Sequence, residues 1–515
     1  MKLRIKNFRS FKDTGDVEIK PITLLIGKNS SGKSSFLRTF PLLKQSAEIE
    51  AKTPISLYGK YVDFGSLKNV TPKFSKNSIY EQEIIISQSE REKIFSTDLN
   101  SILLNGDIKI TLKYVNHKNE YLKTSNIKIN SLKNKAEIFF NHKEKLIDKI
   151  IINDSELINI KDNISFNYSN QLLGFKLFRD EKNTMNLKDF SSKSILDSIS
   201  ATLVFKILLK YLDNEEDSSS VFLEIIQYGS SDLLRKMKDI NVLDWQKKIK
   251  NWTENTNDFI ELKNLIILSQ LTVQLVLINT YLNTLFKNLK YIGPTRISQR
   301  DYRILNLSTD EVDKDGANLP DFIESLDDEQ KIDFQKWTKD NFGFKIDVKR
   351  NNGYQSIMIS HNGEYLNITD VGFGYSQILP ILTQIWFTLT QNSKDNNGGI
   401  IKSDKIPKII TLEQPELHLH PEFQAKFTDA IVNVVKDAQS KGIDIRLIIE
   451  THSNIIVSRL GQAIILDEIS KDDINIVIFD KENYLSETKV SFAQFDEDGD
   501  LTGWPIGFFY PPIKG

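Results

Sequence analysis

The sequence predicts an α/β protein: a mostly parallel sheet flanked by helices, carrying an inserted antiparallel β region and a helical subdomain. Three observations predict it. An apolar run, "ITLLI", leads into a glycine-rich turn and then an apolar helix. Further along, "KIITLE" and "IRLIIE" bracket the amphipathic segment "PEFQAKFTDAIVNVVKDAQSKG", a strand, a helix and a strand in the order of a βαβ unit. Between these regions the pattern changes twice, to short alternating runs and then to longer apolar-periodic segments.

Taken in order, residues 1–75 begin with two strands, "LRIKNF" and "DVEIKPITLLIG", the second becoming fully buried. The helix "SSFLRTFPLLKQSAEIE" follows, with a kink or early break expected at Pro41, whose ring and missing N–H oppose a helix interior. Residues 76–190 hold "EQEIIIS", "DIKITLKYV", "NIKINSL", "AEIFF", "DKIIIND" and "NISFNYS", separated by Asn, Lys, Asp and Ser, which reads as an antiparallel meander. Residues 191–290 are a helical insertion, broken by the polar "DNEEDSSS". Residues 291–515 return to mixed structure, with "FKIDVKR" and "QSIMISHNGEYLNI" as strands, the helix "YSQILPILTQIWFTLTQ" beginning near Tyr375, the loop "NSKDNNGGIIKSDK", and then the βαβ unit.

At 515 residues, the chain is expected to divide into two or three domains. With 40% apolar and 26% charged residues it reads as an ordinary soluble globular protein. A formal charge of −2 gives no global attraction to phosphate or anionic lipid, so any nucleic-acid contact must come from local patches. The absence of cysteine excludes a disulfide framework, a thiolate zinc site and a cysteine nucleophile, and it points to a reducing cytoplasm. The N-terminus lacks the apolar core of a signal peptide. Asn264 to Phe286 contains no charge, but Ser269, Gln270, Gln274, Asn279, Asn283 and Thr284 are spread through it, so the expectation is a buried helix and no membrane contact. Lysines across 113–149 and 235–250 present either a solvated face or a contact to a phosphate backbone.

"GKNSSGKSS", Gly27 to Ser35, matches G-x-x-x-x-G-K-[ST] and sits between a buried strand and a helix. That context lets backbone N–H groups and a helix N-terminus converge on phosphate oxygens. The nucleotide-binding candidates are therefore Gly27, Lys28, Asn29, Ser30, Ser31, Gly32, Lys33, Ser34 and Ser35. Gly27 and Gly32 permit the turn, Lys33 neutralises the β- and γ-phosphates of ATP, Ser34 ligates Mg²⁺, and Ser35 touches the α-phosphate. A second motif must supply the acid that holds the metal, at the end of a buried strand, and "IITLEQPE" supplies it as Glu413. The following position, where a glutamate commonly polarises the attacking water, is Gln414, whose amide can orient water but cannot accept a proton. Glu416, His418, His420 and His452 remain as proton acceptors. His452, in "ETHS" after a strand, is the best placed to reach the γ-phosphate, whereas His418 and His420 read as scaffolding.

"DVGFGYSQILPIL" places Gly372 and Gly374 before a helix, with Ser376 in its first turn. Such a turn offers N–H groups to an anion or permits close packing. As an anion site it is most economically assigned to the nucleotide of a neighbouring subunit.

"LRIKNFRSF", "GKNSSGKSS", "YVDFGS", "YIGPTR", "VGFGYSQILP", "LEQPELHLHP", "ETHS" and "DGDLTGWPIGFF" together resemble the ABC/SMC-like (P-loop) ATPase heads of the overcoming-lysogenization-defect (OLD) class, more narrowly AAA-family ATPases with a DUF3696-type C-terminus. Residues 75–285 lie outside the resemblance. It implies a head-to-head dimer, or a higher homo-oligomer, sandwiching ATP and Mg²⁺, with Gly27 to Ser35, Glu413, Gln414 and His452 from one subunit and Gly372 to Ser376 from the other. Gln45 is the nearest approach to a Q-loop glutamine. OLD nucleases carry a Toprim domain after the ATPase; the short stretch after "ETHS" implies no nuclease in this chain and a separate nuclease subunit. Stand-alone ATPases of this kind resemble PtuA of Septu anti-phage systems, which acts with the HNH nuclease PtuB, sometimes beside a retron reverse transcriptase and its nucleic acid; they are also similar to the ATPase of PARIS-type systems. The expected function is an ATP-binding, slowly hydrolysing or non-hydrolysing regulatory subunit of a defence complex. The alternative is an SMC/RecF-like DNA-repair ATPase that binds DNA directly.

Overall fold

The computed structural model describes residues 1–49, 53–72, 74, 79–95, 106–117, 121–132, 134–143, 146–157, 164–167, 176–179, 195–212, 214–225, 232–304, 311–361, 363–391, 401–483 and 485–503. The boundary expected near residue 190, most of the loop read at 392–405 and the end of "DGDLTGWPIGFF" lie outside them.

A seven-stranded sheet forms the centre, in the order Lys290–Ile292, Lys408–Glu413, Ile445–Glu450, Ile22–Gly27, Ile474–Asp480, Lys489–Phe495 and Leu501–Thr502. The strands from Lys290–Ile292 through Ile474–Asp480 run parallel, and the last two are antiparallel. Both faces are covered, which is why these strands read as unbroken apolar runs. Leu25, Ile409, Ile448 and Val477 pack to one side with Phe40, Leu42 and the long helix Asn257–Lys287. Leu24, Ile26, Ile410, Leu447, Ile449 and Ile476 pack to the other, under the helices Phe373–Thr390, Pro421–Ser440 and Asn454–Ile465. Thr411, the polar departure in "KIITLE", is buried and donates from its hydroxyl to the Lys290 carbonyl at 3.2 Å. Beyond the βαβ unit one more parallel strand, Ile474–Asp480, lies directly beside the phosphate-loop strand.

An eleven-stranded antiparallel sheet lies alongside. Tyr80–Ile86, Ile108–His117, Tyr121–Asn130, Lys135–Asn141 and Leu146–Ile152 are successive neighbours, the arrangement of a meander. The N-terminal strand Lys2–Phe8 also belongs to this sheet, pairing with Tyr80–Ile86, so the sheet crosses residue 75. Long-range pairing of this kind leaves no local trace in the sequence. A small sheet of Tyr302–Arg303, Lys345–Asn351, Tyr354–His361 and Glu364–Asn367 sits before the helix Phe373–Thr390.

The helix after the phosphate loop breaks at Arg38, between Lys33–Leu37 and Thr39–Glu48, three residues earlier than Pro41. Proline falls in the first turn of the second helix, where an N–H has no intrahelical partner to lose. Asn264 to Phe286 lies within Asn257–Lys287, and most of its apolar side chains are buried. Asn264 accepts a hydrogen bond from Asn153 of the antiparallel sheet at 2.9 Å. Among the described residues no single helix is long and apolar enough to cross a membrane; this helix bends by 43° between residues 271 and 273.

Candidate nucleotide site

Gly27 ends its strand against the Phe479 carbonyl, and a Cβ there would stand 2.3 Å from that oxygen and 2.6 Å from Ser31 Oγ. Gly32, at φ 112°, faces the Phe11 ring and the Ser10 hydroxyl, each 3.0 Å from where a Cβ would sit. The loop is thus braced by neighbours that sequence reasoning missed. Thr488 adds to them, donating to the Ser31 carbonyl at 2.7 Å. Lys33 is buried and donates to the carbonyls of Gly27 and Lys28 at 2.9 Å each, which aims its ammonium across the loop. Ser31 keeps a buried hydroxyl without a partner.

A cleft of about 690 Å³ opens over the loop. Asn29, Ser30, Gly32, Lys33, Ser34 and Ser35 line it from below, Gln414, Glu450 and His452 from the sheet side, and the cations Arg9, Lys68 and Lys481 lie around the same wall. Volume and positive potential both suit a nucleoside triphosphate.

Parallel pairing sets Glu413 and Glu450 side by side at the ends of adjacent strands. Their surroundings differ. Both oxygens of Glu413 are taken by Arg38, from Nε at 2.7 Å and Nη2 at 2.8 Å, and the Tyr291 hydroxyl adds a third bond at 2.7 Å. Glu450 accepts from Ser34 Oγ at 2.7 Å through one oxygen, while the other has no partner. Burial first, and then the charge of Glu413, pushes the Glu450 carboxyl up to about 7. Lys33 is lowered by burial despite Glu450 at 4.0 Å, a separation too long to offset desolvation for either group.

Gln414 adopts a left-handed conformation, φ 45°, at the turn after the strand. Its N–H donates to the Glu450 carbonyl at 2.8 Å, and Arg296 Nη2 grips the carbonyls of Glu413 and Gln414 at 2.6 and 3.2 Å. Arg296, the last residue of "YIGPTR", is buried, and burial lowers its guanidinium to about 10. The His452 N–H donates to Glu416 at 2.7 Å while its ring lines the cleft; burial, then Lys33, lowers the imidazole, so it faces the cleft neutral. Glu416 is raised by burial and is not among the described residues lining the cleft. His420 caps the helix Pro421–Ser440, its Nδ1 accepting from the Glu422 N–H at 3.3 Å. His418 packs edge-on against Phe373 at 5.0 Å.

The profile of a family described as an AAA ATPase domain matches residues 1–457. The chain belongs to that family. Among curated proteins no relative matches it. Solved structures similar to this AAA ATPase domain include an Smc head bound to the C-winged helix domain of ScpA, at 10% identity and TM-score 0.36, covering 96% of this chain and 98% of that one. An Smc head with an extended coiled coil bound to the C-terminal domain of ScpA, from Pyrococcus furiosus, has 11% identity and TM-score 0.35, with 96% of each chain covered. The SMC head domain from Thermotoga maritima has 9% identity and TM-score 0.35, with 95% and 97% covered.

Gly372, Gly374 and Ser376 are not among the described residues lining this cleft. Gly372 precedes the helix Phe373–Thr390, which starts two residues earlier than expected, and a Cβ on Gly374 would lie 3.3 Å from the His418 carbonyl. The turn therefore packs on the segment that follows Gln414. The Ser376 hydroxyl is buried and donates to the Phe373 carbonyl at 2.7 Å, whereas Phe373 is exposed. Gln45 stands away from the cleft: its fully buried amide holds the Ser56 and Val62 carbonyls and the Tyr61 and Val62 N–H groups, fixing the "YVDFGS" segment.

Proposed function

We propose that this ATPase works through bound ATP more than through its hydrolysis, as a nucleotide-gated regulatory subunit controlling a separate nuclease in an anti-phage complex. The observation that carries the reading is Gln414 in the cleft wall opposite an intact phosphate loop. Its amide can hold a water by hydrogen bonding but cannot take the proton that attack on the γ-phosphate releases. Lys33, the loop N–H groups and Ser34 bind and orient the triphosphate, and Mg²⁺, when bound, neutralises charge on its oxygens. Ser34 with the unpartnered oxygen of Glu450 is a donor set that fits such an ion.

In this reading the turn of Gly372 and the exposed Phe373 meets the nucleotide of a second copy of the chain, closing a head-to-head dimer in the cytoplasm. The partner is the HNH nuclease that the resemblance implies, with a retron reverse transcriptase and its nucleic acid as a further component. Direct DNA binding finds less support: Lys113 pairs with Glu81, Lys135 pairs with Asp154, and Lys238 donates to the carbonyls of Lys250 and Trp252.

The test is ATP hydrolysis by the wild type and Gln414→Glu. Slow wild-type turnover, raised on the order of 100-fold in the variant, is the expected result. A fast wild-type rate unchanged by the substitution overturns the reading.

A further inference from the structure

The motif pattern gives the metal-holding acid as Glu413, yet the geometry presents a different carboxylate. We propose that the divalent cation accompanying the nucleotide is held through Ser34 and Glu450, while Arg38 keeps Glu413 from it. The proposal rests on the nucleotide-site reading above and deepens it.

Strand order supplies the first argument. Ile445–Glu450 lies between the phosphate-loop strand and Lys408–Glu413, and Glu450 is the register partner of Leu25, two residues before Gly27. Glu413 lies one strand further away, about 5 Å more in the hydrogen-bonding direction. Occupancy separates the two carboxylates further. Glu413 has both oxygens bound by Arg38 and one also by Tyr291, and it is not among the described residues lining the cleft. Glu450 lines the cleft, meets the Ser34 hydroxyl, and is 2% exposed with its second oxygen lacking a hydrogen-bond partner. A buried carboxylate oxygen without a partner is expensive in an apolar surrounding and is relieved by a cation.

Charge supplies a further argument. Arg38 neutralises Glu413 through a bidentate pair, so of the two adjacent acids only Glu450 keeps an oxygen without a hydrogen-bond donor. Mg²⁺ is commonly bound by one or two protein carboxylates together with substrate phosphates and waters, and a serine hydroxyl beside a single carboxylate meets that demand.

The experiment measures binding of the non-hydrolysable ATP analogue AMP-PNP by calorimetry, in Mn²⁺ and in EDTA, for the wild type, Glu450→Gln, Glu413→Gln and Lys33→Ala. Mn²⁺ should tighten wild-type binding. Glu450→Gln should lose about 10–100-fold of that tightening with its EDTA affinity kept, whereas Glu413→Gln should retain the tightening. Loss in Glu413→Gln with retention in Glu450→Gln overturns the proposal and leaves the nucleotide site standing. Wild-type protein that binds no analogue in either condition, like Lys33→Ala, overturns the nucleotide reading itself. Glu450→Asp, which keeps the charge on a shorter arm, is a second probe in case the amide variant does not fold; Mn²⁺ tightening undiminished in it counts against Glu450.

Discussion

Arg38 and Glu413 meet through two parallel hydrogen bonds of 2.7 and 2.8 Å, joining the break in the phosphate-loop helix to the acidic strand end two strands away. Glu413 is buried, whereas the Arg38 side chain is about a third exposed. Replacing Arg38 with Met leaves the carboxylate uncompensated. The expected destabilisation is about 3 kcal/mol, the lower end for a broken buried pair because water reaches the arginine side. Chemical denaturation of wild type and Arg38→Met checks it, and a change under about 0.5 kcal/mol would show the pair to be idle.

Gly27 tolerates no side chain. A methyl group there meets the Phe479 carbonyl and Ser31 at distances no real Cβ keeps, so either the loop or the strand Ile474–Asp480 must shift. Gly27→Ala should abolish binding of the ATP analogue and lower the melting temperature by several degrees, of the size overpacking produces. Gly343→Ala is the contrasting case: it also has a positive φ, but nothing lies within 4 Å, so only stability should fall.

Gln414 is held in a left-handed conformation that glycine adopts freely. Arg296 supports it through the carbonyls of Glu413 and Gln414. Gln414→Gly should therefore raise stability by about 0.5–1 kcal/mol, and Arg296→Met should lower it by about 1–3 kcal/mol. Thermal melts of both variants check the opposite signs; a destabilised Gln414→Gly would mean that the amide makes a contact outweighing the strain.

Glu311 should be one source of acid sensitivity. Burial works against its ionised form, but Lys290, Lys44 and the Tyr61 hydroxyl bring the carboxyl down to about 2. A depressed folded value means that the unfolded chain binds the proton more readily. The stabilisation is therefore full above about pH 4.5 and is lost as pH falls toward 2, roughly 3 kcal/mol in all. Denaturation midpoints across that range, wild type against Glu311→Gln, should converge toward low pH. Parallel curves would rule the network out as the source.

The phosphate loop, the acidic strand end and the meander were legible because each is written locally, as a spacing or an alternation. Glu413, Gln414 and His452 could be picked out by position after apolar runs, and the structure brings all three to the ends of neighbouring strands. Glu450 stood in plain view in "ETHS", yet its meeting with Ser34 depends on which strand lies beside the phosphate loop, and strand order is a non-local property. Arg38 and Arg296 were missed for the same reason. A signal existed for Arg38: it follows Ser34 by four residues, the spacing that places both on one side of a helix. The misplaced helix break came from reading Pro41 as a breaker when its position made it a starter.

The helix Asn257–Lys287 leads almost at once into Lys290–Ile292, the strand whose Tyr291 holds Glu413. Its last limb, residues 273–287, is about 22 Å long at the usual helical rise. It can act as a lever whose fulcrum lies beside the acidic strand end. A tilt of about ten degrees about the strand end would carry the bend through about 4 Å.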